Sequence, residues 1–156
     1  MRLTLAALAF CSLALPTTAH AFCRTTTQPL PANYSPSRGC YTDGLLLFWR
    51  NACVSYSINE AASRNIPFED AKRIIDESFA TWVTVTCPDG NPVGIAVSNI
   101  GAASCSEVKY NADTANQNLI VFRDDGWPYS DPNSTLGLTT VTFNAETGEI
   151  YDADME

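Results

Sequence analysis

A largely apolar run from Leu3 to Leu15 opens the chain behind Arg2, and Ala19-His20-Ala21 follows it. A positive residue, a short apolar stretch and a small-x-small tripeptide together make an export signal, with cleavage expected before Phe22. The run is too short to span a bilayer. Phe10 before Cys11 and Phe22 before Cys23 are not the small residues that precede a lipidated cysteine. Residues 1–21 are thus a leader, 22–52 an extended arm and 53–156 one folded domain. Pro29, Pro31 and Pro36 interrupt regular structure in the arm. The apolar stretch Leu45 to Trp49 at its end is expected to pack on the body.

Beyond the arm the period changes. Val54 to Ile58 alternates and predicts a strand. Phe68, Ala71, Ile75, Phe79 and Trp82 then recur at steps of three and four, with Lys72, Arg73, Asp76 and Glu77 opposite them. Pro67 and the acidic Glu69 and Asp70 suit a helix start, so the spacing predicts a helix over about 67–84, closed by Cys87-Pro88-Asp89-Gly90. Val93 to Val97 reads as a strand leading into a loop at Asn99-Ile100-Gly101. Leu119 to Phe122 is a continuous apolar run, as in a strand buried on both faces of a parallel sheet. Asp124 to Pro132 is a turn-rich loop. Leu136 to Phe143 and Glu149 to Glu156 are two further strands, joined by Asn144 to Gly148 as a hairpin. This order predicts an α/β fold: a mixed, mostly parallel five-stranded sheet with an antiparallel edge strand and one long helix.

Charge and cysteine count narrow the class. Loss of Arg2 with the leader leaves 8 basic against 17 acidic residues, a net charge of −9. An acidic surface argues against nucleic acid and anionic membranes as partners, while suiting an exported protein, secreted or periplasmic. Five cysteines remain after cleavage: Cys23, Cys40, Cys53, Cys87 and Cys105. In an oxidising compartment the expected pairs are Cys23 with Cys40 and Cys53 with Cys87. The fifth thiol is either free or lacks its partner. Connectivity and oligomeric state are not fixed by sequence.

The leader holds the only histidine, His20, so Ser-His-Asp and Cys-His arrangements are excluded. Glycine-rich phosphate loops and Cys-x-x-Cys motifs are absent as well. Asp124 and Asp125 stand beside Gly126, where aspartate serves turns. Strand alternation puts Asp152, Asp154 and Glu156 on one face. Three carboxylates in line suit either a solvated rim or a calcium ion held by hard oxygen ligands.

Ser78-Phe79-Ala80-Thr81-Trp82-Val83-Thr84-Val85, followed by Ile95-Ala96-Val97, resembles the helix-to-second-strand segment of the matrixin branch of metzincin zinc proteases. Asn118 to Phe122, Gly126-Trp127-Pro128-Tyr129 and Ser134 to Leu138 are similar to that family's third strand, following loop and edge strand. Gly148 to Glu156 is similar to its last sheet strand. The likeness runs colinearly from about Cys53 to Glu156, and together with the arm it resembles secreted bacterial matrixin-like proteins. It implies an incomplete metzincin-like upper subdomain whose edge strand (Thr135, Leu136, Gly137, Leu138 and Thr139) receives a peptide or protein substrate as an added strand. Gly137 would admit the substrate backbone closely. A leucine at 138, where many family members place a histidine, makes a structural zinc unexpected. The calcium role carries over only onto Asp152, Asp154 and Glu156.

The family's next element is a helix bearing His-Glu-x-x-His-x-x-Gly-x-x-His, which binds the catalytic zinc. This chain stops at Glu156 in mid-strand, and no cysteine-switch segment precedes it. The resemblance therefore implies the N-terminal portion of a secreted zinc-dependent endopeptidase, with zinc expected only in a full-length parent and no catalytic residue here. Two other readings stand beside it: a stand-alone secreted disulfide-containing binding module without catalysis, and an unrelated disulfide-stapled exported domain.

Overall fold

The computed structural model describes residues 23–35, 37, 39–130 and 133–156; the leader read at 1–21 lies outside these. Six elements follow in the order β1 (Cys53–Asn59), α1 (Phe68–Val83), β2 (Ala96–Ala103), β3 (Asn118–Ile120), β4 (Thr139–Phe143) and β5 (Ile150–Met155). The strands form one mixed sheet in the order β2-β1-β3-β5-β4. β1 pairs parallel with both β2 and β3, and β3 pairs parallel with β5. β4 alone is antiparallel, on the β5 edge. The expected five-stranded α/β architecture with an antiparallel edge is therefore present.

One carboxylate fixes the helix to the sheet. Asp76, on α1, accepts hydrogen bonds from the Tyr56 hydroxyl of β1, from Asn99 Nδ2 of β2 at 2.8 Å and from Lys72 Nζ at 2.7 Å. Burial alone would raise its pKa, but the donors from Asn99, Lys72 and Tyr56 hold it below the usual carboxylate value. Tyr56 is correspondingly pushed up, by burial first and then by Asp76. Phe79 packs on the Tyr56 ring with centroids 4.7 Å apart. Both strands that the knot engages lie at one end of the sheet. The helix covers that end, and its stripe is only half used: Trp82 remains 76% exposed.

Three elements differ from the sequence reading, each for a local reason. β2 continues through Asn99-Ile100-Gly101, which turn chemistry had marked as loop; Asn99 Oδ1 accepts from Gly101 N at 2.8 Å, and Gly101 takes φ +111°. The ladder with β1 shifts register there and then resumes. β3 spans three residues, with Leu119 and Val121 buried on the face away from α1. Ile120 on the helix side is only partly covered and lines the recess beside α1. β4 starts at Thr139, not Leu136.

The arm folds back on the final hairpin. Thr26 and Leu46 form an antiparallel bridge, flanked by Thr27 N donating to Leu45 O at 2.9 Å and Leu47 N donating to Thr25 O at 3.0 Å. Phe48 then pairs parallel with Glu149, its N–H reaching Gly148 O at 3.0 Å, and Ile150 N reaches Phe48 O at 2.8 Å. Arg50 and Glu149 form an ion pair beside this junction. Cys23 and Cys40 are joined in a disulfide as expected. Cys53 and Cys87 are not: with Cys105 they are free thiols. Cys87 is held in a local hairpin in which Thr86 bridges Pro92 and Cys87 N donates to Asn91 O at 2.8 Å, while Cys53 begins β1.

Gly148 is required at the docking point. Its φ is +81°, and a Cβ there would stand 2.5 Å from Leu46 O. Gly148→Ala should therefore lower stability by at least about 1–2 kcal/mol, read from urea midpoints. Gly90→Ala has a similar φ of +84° but open space around it, and should cost less. Asp76→Ala, which leaves the Tyr56 hydroxyl and the Asn99 amide without their acceptor, should cost about 2 kcal/mol in the same assay.

Candidate functional site

The sheet edge at β4 and the apolar recess beside it form the candidate site. Leu138 and Glu156 exchange both backbone hydrogen bonds, at 3.0 and 2.9 Å. That makes them a hydrogen-bonded antiparallel pair, so Thr140 and Thr142 face β5 likewise. Thr139 and Val141 consequently turn their N–H and C=O groups outward, to an edge with no neighbouring strand among the described residues. The exposed strand, Thr-Thr-Val-Thr-Phe, carries no charge and no proline, the two devices that most often blunt an edge.

The sequence-derived edge residues divide at this point. Thr139 opens β4 and Leu138 pairs with Glu156, while Thr135, Leu136 and Gly137 lie before the ladder. The close approach at Gly137 is to the chain's own backbone: a Cβ there would lie 3.3 Å from Glu156 O. Leu136 is fully exposed and, with Thr135, rims the recess.

That recess, about 600 Å³, lies between the C-terminal half of α1 and the ends of β3 and β5. Phe79, Trp82, Phe122 and Met155 supply its apolar walls. Trp127 adds an indole Nε1 that is buried without a hydrogen-bond partner. A second recess of about 220 Å³ continues across the helix-side face of the sheet, past Ile120, Ala153 and Thr139. Concave, mostly apolar surface with few polar groups is the usual form of a binding site.

Asp152 and Asp154 of β5 and Glu156 just after it neither sit in solvent nor gather around a common point. Asp152 and Asp154 are 3% and 2% exposed. Asp154 Oδ1 accepts from Leu119 N at 2.8 Å. Asp152 is pushed up to about 6, by burial first and then by the Asp154 carboxylate. Asp154 is also raised, burial outweighing the backbone donors of Leu119 and Lys109. Glu156 turns away to Arg123 and the Tyr129 hydroxyl. Among the described residues no group of three histidine, cysteine or acidic side chains is placed to hold a metal ion. With Glu156 turned to Arg123 and Tyr129, Asp152, Asp154 and Glu156 do not converge on a calcium ion. Strand alternation identified their shared face but could not foresee that the 104–117 segment covers it. The Arg123–Glu156–Tyr129 cluster went unread because its members are 33 and 27 residues apart.

No family model, no curated protein and no solved structure matches the chain. No helix of the described residues is long and apolar enough to cross a membrane.

Calcium should leave this domain unmoved. Millimolar calcium or a chelator is expected to produce no change in thermal midpoint. A true site at 100-fold saturation would add about 2.7 kcal/mol, an upward shift plainly visible by calorimetry.

Proposed function

We propose that the chain is the substrate-edge scaffold of a secreted, matrixin-like zinc endopeptidase: it lays out an extended peptide along β4, while the metal-binding and water-activating residues belong to a part of the parent outside it. The observation that carries this reading is the antiparallel edge strand, with Thr139 and Val141 presenting free backbone groups beside an apolar recess. Residues 22–156 contain no histidine, so the scaffold alone assembles no zinc centre and hydrolyses nothing. The Cys23–Cys40 disulfide suits the oxidising compartment that export provides.

In this arrangement the edge supplies affinity and register. An incoming strand exchanges hydrogen bonds with Thr139 and Val141, and its alternate side chains reach the helix-side recess or the opposite face. Holding the peptide extended at a fixed distance from the recess is a positioning role, which lowers the entropy cost of any later reaction on that peptide.

The test uses unfolded, fluorescently labelled casein. With added zinc, the chain should bind it weakly and leave it uncut. Val141→Pro removes an outward N–H without touching the β4–β5 ladder, so the fold should persist while binding falls about 3- to 10-fold, the worth of one edge hydrogen bond or slightly more. Undiminished binding by that variant, or chelator-sensitive cleavage by the chain itself, would overturn the reading.

A further inference from the structure

The sheet has two outer strands, β2 and β4, and they are finished differently. At β2 the ladder with β1 shifts register, Gly101 takes φ +111°, and its N–H is already held by Asn99 Oδ1 at 2.8 Å. An irregular ladder and a side-chain acceptor blunt an edge. β4 has neither device along Thr139–Thr142. Leu138 exchanges both backbone bonds with Glu156, and Asn144 N reaches Glu149 O at 2.8 Å. Alternation between these two ends points the N–H and C=O groups of Thr139, Val141 and Phe143 away from β5. Among the described residues no backbone bond from outside the sheet reaches any of the three. The arm lines a recess with the Phe143 side chain but bonds to no backbone group of β4.

The sequence of this strand, Thr-Thr-Val-Thr-Phe, complements a second copy of itself running the opposite way. With a twofold axis at Val141, the outward residues meet only outward residues: Val141 faces Val141, and Thr139 faces Phe143. About six backbone hydrogen bonds close across such a junction, two for each facing pair. On the helix side, where Val141 stands in register with Ala153 and Thr139 with Met155, the side-chain pairs are valine with valine and threonine with phenylalanine. On the other face Thr140 meets Thr142. β-Branched residues beside aromatic ones, and threonine beside threonine, are favourable cross-strand neighbours. The nearest charged side chain on the strand's flank, Glu146, falls opposite Leu136 of the second copy, so no like charges oppose each other.

We propose that β4 is a self-association edge: two copies of this chain pair antiparallel through β4, joining their sheets into one of ten strands about a twofold axis at Val141. Such an isologous contact uses one edge of each copy and leaves only the two β2 edges outside. Those are the blunted ones, so assembly stops at the dimer. Because the same edge is the one assigned above to peptide, a dimer is closed to substrate and a monomer is open to it. The pairing rests on the geometry and composition of β4, not on the peptide reading.

Sedimentation equilibrium on the whole chain, with its free thiols alkylated so that covalent dimers do not count, tests it. The medium is about 0.15 M salt, in which charges more than roughly 8 Å apart are largely screened; this matters for copies that each carry a net charge of −9. From about 10 μM to 1 mM the average mass should climb from one chain toward two and stop there. Over the same range the amides of Thr139, Val141 and Phe143 should gain protection from hydrogen exchange, while those of β2 do not. Val141→Lys and Val141→Glu should each weaken association by about 3- to 10-fold, and an equimolar mixture of the two should restore it, because like charges at the axis become opposite ones. A chain still monomeric at the highest concentration, a mass that grows past the dimer, or a mixture no tighter than either variant alone would overturn the proposal. Should a variant fail to fold, the mass and exchange series of the unmodified chain decide. None of these readouts uses a peptide. Casein bound by a chain that never dimerises overturns the pairing alone, and casein ignored by the dilute monomer of a chain that does dimerise overturns the peptide reading alone.

Discussion

The placement of α1 over β1 and β2 is the constraint from which the rest of the architecture follows. It is set by Asp76, whose carboxylate gathers a phenol, an amide and an ammonium from two strands and its own helix. Charge-assisted hydrogen bonds are stronger and more directional than apolar contact, so they fix where the helix sits as well as that it packs. Because both partner strands lie at one end of a five-stranded sheet, the other three strands receive no helical cover. The recess, the exposure of Trp82 and Leu136, and the free flank of β4 are consequences of that one anchoring point.

The two faces of the sheet solve burial differently. On the helix side an apolar surface is left partly open. On the opposite side the 104–117 segment folds over Ala103, Leu119 and Val121, with Val108 packed against them. That cover encloses Asp152 and Asp154 together with the apolar residues. Buried acids are tolerated there because backbone N–H groups, that of Leu119 among them, replace water.

Periodicity carried the secondary structure well where a single principle acted. The stripe from Phe68 to Trp82 predicted α1 to within a residue at each end, and the glycine-closed connection at 144–148 predicted the β4–β5 hairpin. It failed where tertiary pairing overruled local chemistry: Asn99-Ile100-Gly101 looks like a turn but continues β2 through a bulge. The edge was legible as an edge, but its start was not, because Leu136 has the composition of a strand and no partner to pair with. The acidic alternation of β5 located a face correctly, yet its burial depended on a distant segment that no local pattern describes. Likewise Cys87 sits in the local Thr86–Pro92 hairpin and, like Cys53, keeps a free thiol.

Phe48 meets Glu149 across 101 positions of chain, whereas Cys23 and Cys40 are separated by 17. Closing the short loop requires little chain entropy. Seating Phe48 requires residue 150 to have arrived, and carries the larger loop-closure cost. The arm thus combines a short covalent ring with a long-range anchor at Phe48.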